Sequence, residues 1–265
     1  MARSACSGLP YENPSLTLDL ARALDPTLIA KDVGLEHLDD WQAKLIDDPP
    51  KRLLCCCGRQ VGKSTAASIC ALHSAIYNAP STIVLISPSL RQSVELYRCL
   101  HTMYSRLPGR PAAQYETLTR LELENGSRII SFPGGEKTIR GLAAVDLLVI
   151  DEAARVDEDT VTAVRPMLAV SNGSLFALST PAGKQGWFYE QWLRGIGWQR
   201  ISIKSTECSR IDPAFLDEER EALGPMMFGQ EYLCEFHDES GAAFLTELLD
   251  AAFVNSFEPF LPRTT

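Results

Sequence analysis

Residues 57–64 combine the residue types that bind phosphate groups. They read Cys-Gly-Arg-Gln-Val-Gly-Lys-Ser and depart from the phosphate-loop pattern G-x-x-x-x-G-K-[ST] in having Cys57 at the place of the first glycine. The backbone N–H groups of such a loop and the positive end of the following helix surround phosphate oxygens. Lys63 can reach the β- and γ-phosphates, and the Ser64 hydroxyl can hold Mg²⁺. This segment, named the phosphate loop below, predicts a site for the triphosphate of ATP with Mg²⁺ as its cofactor.

The residues expected to contact the nucleotide belong to this loop and to the helix start after it. They are Gly58, Arg59, Gln60, Val61, Gly62, Lys63, Ser64 and Thr65. The alternative is a glycine-containing turn between strand and helix in which the lysine and serine are incidental. The acidic residues described next favour the phosphate site.

Two adjacent carboxylates follow an apolar run later in the chain. Residues 147–150 are apolar, and Asp151 and Glu152 come directly after them. A carboxylate at a strand tip suits a magnesium ligand, directly or through water, so Asp151 and Ser64 are the expected metal ligands. Glu152 suits a base that orients and polarises the attacking water. Adjacent carboxylates are often only solvated charges, but beside a phosphate loop they indicate an ATPase with a separate catalytic acid.

Four further residues are candidates for the same site. Ser179 and Thr180 end another apolar run, and the carboxyl ends of parallel strands line one crevice. We expect them either to sense the γ-phosphate and couple its state to the next segment, or to form a turn that caps a helix. The amide of Gln42 can read the edge of adenine, unless it is an exposed helical residue. Arg140 can act as an arginine finger on a neighbouring subunit's γ-phosphate, or be merely solvated.

The elements that must position these residues alternate between strand and helix. The predicted strands lie at residues 51–57, 82–87, 147–150, 175–179 and 201–204. The predicted helices lie at residues 15–21, 35–46, 63–78, 89–106 and 213–236, the last interrupted at Gly224-Pro225. Asn125-Gly126 predicts a hairpin between residues 117–124 and 127–132. Short apolar strands alternating with helices predict an α/β fold with a mostly parallel central sheet flanked by helices.

Composition restricts the classes of protein that fit. The 265 residues are 45% hydrophobic, and no apolar run reaches the length of a membrane span or of a secretory signal, so we expect a cytosolic protein. The eight cysteines lack paired Cys-x-x-Cys spacing, which argues against a zinc site and structural disulfides. The net charge is −9, whereas a domain that binds nucleic acid alone usually has a basic surface. Any DNA contact must therefore be local, transient or shared among subunits.

Together these residues resemble the N-terminal ATPase domain of the large terminase subunit of tailed bacteriophages, the motor that packages viral DNA. The likeness extends from residue 38 to residue 236. Three of its segments concern the nucleotide: the adenine motif Trp41-Gln42, the Walker A segment with Arg59 inside it, and the Walker B segment at 151–154. A fourth is the coupling motif at 179–183, followed by Trp-Phe-Tyr at 187–189. The fifth, at 228–236, is similar to the end of the family's ATPase domain.

The resemblance implies a fold and roles for individual residues. It implies a P-loop NTPase of the additional-strand catalytic-glutamate type, with residues 1–236 as the ATPase domain and residues 1–50 as its helical segment carrying the adenine motif. Residues 237–265 would form a small C-terminal lid or linker subdomain. Glu152 would be the catalytic glutamate, Arg59 a sensor acting in cis, and Arg140 a finger acting in trans. The family's metal-dependent nuclease is not expected here, because the acidic residues after position 236 are too few and too dispersed.

The resemblance also implies partners. The enzyme would work in the host cytoplasm as a homo-oligomeric ring of five subunits, docked transiently on the portal of a procapsid, with double-stranded DNA and the small terminase subunit as further partners. In a ring, several acidic subunits can each present a few basic residues to one duplex through phosphate contacts. The candidates, which otherwise form a solvated helix face, are Arg91, Arg98, Arg106 and Arg110.

Two other functions fit parts of the pattern. A helicase-like or other nucleic-acid-translocating ATPase also combines a glutamine motif, an Asp-Glu pair and a coupling strand, but a helicase of that superfamily needs a second RecA-like domain. A non-hydrolysing assembly protein would bind ATP without turnover, even when concentrated. Hydrolysis that procapsids stimulate would separate a packaging motor from both.

Overall fold

The computed structural model describes residues 14–134 and 141–238, and its centre is an eight-stranded sheet. The strands are β1 (Arg52–Cys57), β2 (Thr82–Ser87), β3 (Ala113–Glu116), β4 (Arg120–Leu123), β5 (Arg128–Pro133), β6 (Leu147–Asp151), β7 (Ser174–Ser179) and β8 (Gln199–Ile203). Their order is β3-β4-β5-β2-β6-β7-β1-β8. The pairings from β5 to β8 along this order are parallel, and both pairings of β4 are antiparallel. The prediction of a mostly parallel sheet is confirmed.

Helices cover both faces of this sheet. They are α1 (Pro14–Leu24), α2 (Thr27–Asp32), α3 (Asp40–Asp47), α4 (Lys63–Tyr77), α5 (Leu90–Arg106), α6 (Glu158–Val164), α7 (Gly186–Arg194) and α8 (Pro213–Tyr232). Residues of α2 to α5 form a buried apolar cluster with one face of the sheet. Residues of α6 and α7 form a second cluster with the other face. Strands buried on both faces explain the continuous apolar runs of the sequence.

The three consecutive cysteines of β1 illustrate this two-sided burial. Cys55 and Cys57 belong to the cluster with α4, whereas Cys56 belongs to the cluster with α7, because successive side chains of a strand point to opposite faces. All three are fully buried. The hydrogen bond with Cys55 and burial together raise the pKa of the Cys57 thiol well above its ordinary value. The Cys57 thiol therefore stays protonated, and the three buried side chains pack as small apolar groups.

Several elements differ from their predicted bounds. The helix predicted at 35–46 begins at Asp40, because Asp39 and Gln42 form a capping box at that point. The sequence does not predict β3, whose four residues are all exposed and show no apolar alternation. The hairpin predicted at Asn125-Gly126 joins β4 to β5, and α8 bends at Gly224, where φ is +74°.

Two predictions fall largely outside the described residues. The lid or linker predicted at residues 237–265 is described only for its first two residues, and Arg140 is not among the described residues. Within residues 14–134 and 141–238, no helix has both the length and the apolarity that crossing a membrane requires.

Candidate functional site

The phosphate loop joins the end of β1 to the start of α4. β1 ends at Cys57 and α4 begins at Lys63, so the free N–H groups of a 15-residue helix lie at the loop. Gly62, directly before the helix, has φ +89°, and Gln60 has φ +64°. Glycine adopts this left-handed conformation without strain, whereas for Gln60 it is strained. The predicted order of strand, loop and helix is confirmed, and Thr65 lies in the first turn of α4.

Other parts of the chain hold the loop from outside. Gly58 N donates to Ile203 O at 2.9 Å, and Arg59 N donates to Glu231 O at 2.8 Å. Ser205 Oγ donates to Arg59 O at 2.8 Å. A Cβ atom on Gly58 would overlap Ser205 Oγ, so this close approach requires glycine. Residue 58 is thus a position that excludes a side chain, whereas the Cys57 side chain is buried in the core.

The strand order brings the acidic pair to the loop. β7 lies between β1 and β6, and β1 and β6 end at the same edge of the parallel sheet. Lys63 Nζ lies 2.7 Å from Glu152 Oε1. Ser64 Oγ donates to Asp151 Oδ2 at 3.2 Å. Four side chains predicted to act on a nucleotide therefore meet, although 87 and 89 residues separate the two pairs in sequence.

Burial and charge compete for the pKa values of these groups. Burial lowers the pKa of Lys63, but the neighbouring Glu152 and Asp151 carboxylates outweigh it, and the net pKa is raised. Burial raises the pKa of Asp151 above its ordinary value in spite of Lys63. Asp151 Oδ1 is buried and has no hydrogen-bond partner among the described residues. This oxygen can accept a cation without losing any hydrogen bond to the protein.

The turn after β6 connects the acidic pair to Ser179 and Thr180. Glu152 has φ +51°, and a 3-10 turn at Ala153–Arg155 follows it. Ala154 N donates to Ser179 Oγ at 3.1 Å, and Arg155 Nη1 donates to Thr180 Oγ1 at 2.8 Å. Both hydroxyl residues are buried, and α7 begins only at Gly186 with Gln185 as its N-cap. Their partners lie in the acidic segment, and they do not cap the next helix.

Two charged residues that the sequence analysis does not single out complete the cluster. Arg155 Nη1 also donates to Glu152 Oε2 at 2.8 Å, and Arg155 Nη2 donates to Glu231 Oε1 at 3.3 Å. Arg59 Nε donates to Glu231 Oε2 at 2.5 Å, and this bond to Glu231 raises the pKa of Arg59. The only signals in the sequence are the place of Arg155 three residues after Glu152 and the place of Glu231 in the segment at 228–236.

Both polar atoms of the Gln42 amide form hydrogen bonds within the protein. Its Oε1 accepts from Asp39 N at 3.0 Å, and its Nε2 donates to Gly62 O at 3.1 Å. Arg210 supports the same region, since its guanidinium donates to Val61 O at 3.0 Å and to Asp39 Oδ1 at 2.6 Å. Gln42 is 3% exposed, so it is not a solvated helical residue. Its observed partner is the phosphate loop, and its contact with adenine stays a prediction.

The remaining predicted residues have other surroundings. Trp41 is partly buried and packs against the core. The four arginines predicted to contact DNA are exposed on α5 and on the segment after it: Arg91, Arg98, Arg106 and Arg110. Arg98 Nη1 pairs with Glu95 at 2.8 Å. Contact of these side chains with DNA stays a prediction.

Comparison with known proteins identifies a family. The family described as terminase large subunit, T4likevirus-type, N-terminal, matches residues 54–250. The large terminase subunit of Thermus virus P23-45 is 26% identical over 234 residues, which cover 73% of this chain and 47% of that protein. The chain thus spans about half the length of the curated relatives it matches.

Solved structures share the fold. The large terminase ATPase domain of Thermus phage P74-26 is 24% identical with a TM-score of 0.66, covering 78% of this chain and 96% of that one. The large terminase of a thermophilic bacteriophage, solved in complex with ADP, is 11% identical with a TM-score of 0.58, covering 79% of this chain and 53% of that one. Both have the same mixed α/β architecture. Because the family match also covers most of the chain, this chain belongs to the N-terminal family of T4likevirus-type terminase large subunits.

Proposed function

We propose that this chain is the ATPase motor domain of a large terminase and hydrolyses ATP to drive double-stranded DNA into a procapsid. The observation that carries the proposal is the cluster of Lys63, Ser64, Asp151 and Glu152 beside the phosphate loop. The relatives support it, since one is described as a large terminase ATPase domain and another is a large terminase in complex with ADP. Membership of the terminase family favours DNA packaging over a helicase-like role.

The strand order supports a particular class of P-loop NTPase. One strand, β7, separates the strand of the phosphate loop from the strand that ends in Asp151. This arrangement fits the additional-strand type that uses a catalytic glutamate. In this proposal residues 1–236 form the ATPase domain, residues 1–50 carry the adenine motif with Trp41 and Gln42, and residues 237–265 form the lid or linker.

We assign a step of ATP hydrolysis to each part of the cluster. The loop N–H groups and Lys63 bind the β- and γ-phosphate oxygens. Glu152 accepts a proton from the water whose oxygen attacks the γ-phosphorus, while the bond to the bridging oxygen breaks and leaves ADP and phosphate. The Lys63–Glu152 distance of 2.7 Å supports this role, because Lys63 is the residue proposed to bind phosphate. Arg59 acts as the cis sensor, and Ser179 and Thr180 couple the site to the segment before α7.

Ser64 and Asp151 fit a magnesium ion. A hydroxyl and a carboxylate oxygen are the hard ligands that Mg²⁺ prefers, and Asp151 Oδ1 is a buried oxygen without a protein partner among the described residues. Mg²⁺ usually binds through one or two protein oxygens together with substrate phosphates. This agrees with the described residues, which contain no cluster of three or more His, Cys, Asp or Glu able to hold a metal. When bound, Mg²⁺ neutralises charge on the β- and γ-phosphates.

The proposed partners follow from the packaging role. They are double-stranded DNA, the portal of the procapsid, the small terminase subunit and further copies of this chain in a ring of five. The net charge of −9 makes a shared DNA contact, spread over several subunits, the favoured arrangement. The work would take place in the host cytoplasm and transiently on the procapsid.

The test is steady-state ATP hydrolysis with Mg²⁺ or with EDTA, in the presence and absence of linear double-stranded DNA and of empty procapsids of the cognate phage. We expect Mg²⁺-dependent turnover that DNA and procapsids together stimulate. Lys63→Ala should weaken binding of a fluorescent ATP analogue, whereas Lys31→Ala on the exposed surface of α2 is the matched control. An ATP hydrolysis rate that procapsids do not change would reject the packaging role. Nucleotide binding without turnover would indicate an assembly protein.

A further inference from the structure

We infer that Arg155 is a positioning residue for ATP hydrolysis, which holds the Glu152 carboxylate and joins it to Thr180 and Glu231. The inference rests on the proposed ATPase function and adds a residue to it. The guanidinium of Arg155 reaches three acceptors on three separate elements: Glu152 Oε2 at 2.8 Å, Thr180 Oγ1 at 2.8 Å and Glu231 Oε1 at 3.3 Å.

Local backbone geometry brings Arg155 into this position. The 3-10 turn at Ala153–Arg155 closes with Arg155 N donating to Glu152 O at 2.8 Å, so the arginine returns over the glutamate. Glu152 has a left-handed φ of +51°, a conformation that costs energy in a residue other than glycine. The bond from Ala154 N to Ser179 Oγ ties the same turn to the end of β7. The turn that carries the arginine is therefore held by its own backbone hydrogen bond and by the end of β7.

The two oxygens of Glu152 have different partners. Lys63 binds Oε1, and Lys63 is the residue proposed to bind phosphate. Arg155 binds Oε2, and all three of its observed acceptors belong to protein side chains outside the phosphate loop. Arg155 can therefore keep the carboxylate in one orientation while Lys63 contacts the nucleotide. A base that is displaced by an ångström loses most of its catalytic effect.

Glu231 links the same arginine to the phosphate loop. Its side chain is only 7% exposed, and its two oxygens accept from Arg155 and from Arg59. Its backbone oxygen accepts from Arg59 N at 2.8 Å. The last turn of α8 is thus bound both to the loop and, through Arg155, to Glu152 and Thr180. A change in the contacts of Glu152 is passed to α8 and to the segment after β7 through one side chain.

A guanidinium suits this task and an ammonium does not. Arginine presents several N–H donors in a rigid planar fork, whereas lysine is a single point charge on a flexible stem. We therefore expect Arg155→Lys to retain the charge next to Glu231, and with it the fold, but to lose the simultaneous contact with Glu152 and Thr180. Arg155→Gln loses the charge as well.

The experiment compares kcat and KM for ATP, the affinity for a fluorescent ATP analogue, and Tm. Arg155→Gln should lower kcat by about 10- to 100-fold with KM changed less than about threefold, because orientation is lost while phosphate binding is kept. Arg155→Lys should lower kcat as well, by a smaller factor. The matched control Arg165→Gln, at an exposed position one helix away, should keep the wild-type kcat. If Arg155→Gln does not fold, Arg155→Lys decides.

A double-mutant cycle identifies the coupling. Because Arg155 and Thr180 share one contact, the effects of Arg155→Gln and Thr180→Val on kcat should be less than multiplicative when combined. A folded Arg155→Gln or Arg155→Lys variant with wild-type kcat would overturn this inference, and so would losses in kcat that multiply fully. Either result would leave the proposed function standing. A wild-type protein without ATP turnover would overturn the proposed function itself, and this inference with it.

Discussion

At the scale of single residues, Asp151 carries a conflict between burial and charge. Its Oδ2 accepts from Ser64, its Oδ1 has no partner among the described residues, and burial raises its pKa above the ordinary value of about 3.9. A carboxylate that ionises less readily in the folded than in the unfolded protein destabilises the fold wherever it is charged. The charged carboxylate that is proposed to bind Mg²⁺ therefore lowers the stability of the fold.

Asp151→Asn should consequently stabilise the protein at neutral pH. The folded protein retains the proton to higher pH than the unfolded chain, so wild-type stability falls as pH rises from the ordinary pKa to the raised one. The amide carries no such charge. The free energy of unfolding of Asp151→Asn should exceed that of wild type at pH 8. This difference should disappear below pH ~4, where Asp151 is protonated in both the folded and the unfolded protein.

Urea unfolding at both pH values measures this effect. Asp48→Asn, at an exposed position after α3, should stay within about 0.5 kcal/mol of wild type at both. A variant at Asp151 that is less stable than wild type at pH 8 would show that its charge stabilises the fold. ATP turnover with Mg²⁺ should fall in Asp151→Asn, which separates the functional from the structural effect.

Glu152→Gln should abolish turnover while nucleotide binding persists. The amide has nearly the same shape and can still accept from Arg155 or Lys63, but it cannot take a proton from water. We expect kcat to fall by about 10²- to 10⁴-fold and the affinity for a fluorescent ATP analogue to stay close to that of wild type. Retained steady-state hydrolysis would exclude Glu152 as the catalytic base.

At the scale of elements, the site depends on how closely the end of β1 approaches β8 and α8. Besides Ser205 Oγ, a Cβ on Gly58 would meet Tyr232 O at 2.6 Å and Ser205 N at 2.8 Å. Two of these atoms belong to the backbone and cannot move independently. This junction holds the phosphate loop against the end of α8, where Glu231 lies.

Gly58→Ala should therefore destabilise the protein by about 1–3 kcal/mol, the usual cost of overpacking. The free energy of unfolding in urea measures it. Gly141→Ala is the matched control, because a Cβ there meets no atom of the described residues within 4 Å, and it should stay within about 0.5 kcal/mol of wild type. If both substitutions cost the same, the close approach at Gly58 does not constrain the loop.

At the scale of the whole molecule, the proposed ring makes turnover depend on protein concentration. If Arg140 completes the site of a neighbouring subunit, the ATPase rate per subunit should rise as subunits associate, and Arg140→Ala should keep it low at every concentration. An arginine finger contributes about 10³–10⁵ to the rate, so the effect is large. Arg165→Ala, at an exposed position, serves as the control. A flat rate per subunit that is equal in wild type and Arg140→Ala would exclude the finger.

The amino-acid sequence by itself determined the strands and motifs that involve residues close to one another in the chain. Apolar runs identify β1, β2, β6 and β7 as buried strands, because a strand that is buried on both faces needs apolar side chains at successive positions. Gly62-Lys63-Ser64 identifies the phosphate loop, and Asp151-Glu152 at the end of an apolar run identifies the acidic pair. These features depend on side-chain periodicity and on helix ends, which involve residues close in sequence. The short exposed strand β3 has no such pattern and escapes prediction.

Only the tertiary structure decided through which strand order and which contacts these parts meet. The position of β7 between β1 and β6 follows from packing of the whole sheet, and no local pattern encodes it. Gln42 contacts the phosphate loop at Gly62 and the start of its own helix at Asp39. Glu231 meets Arg155 across 76 residues and Arg59 across 172. The energy of such buried charged contacts arises only when distant elements have excluded water from between them, so the residue types alone do not predict the partners.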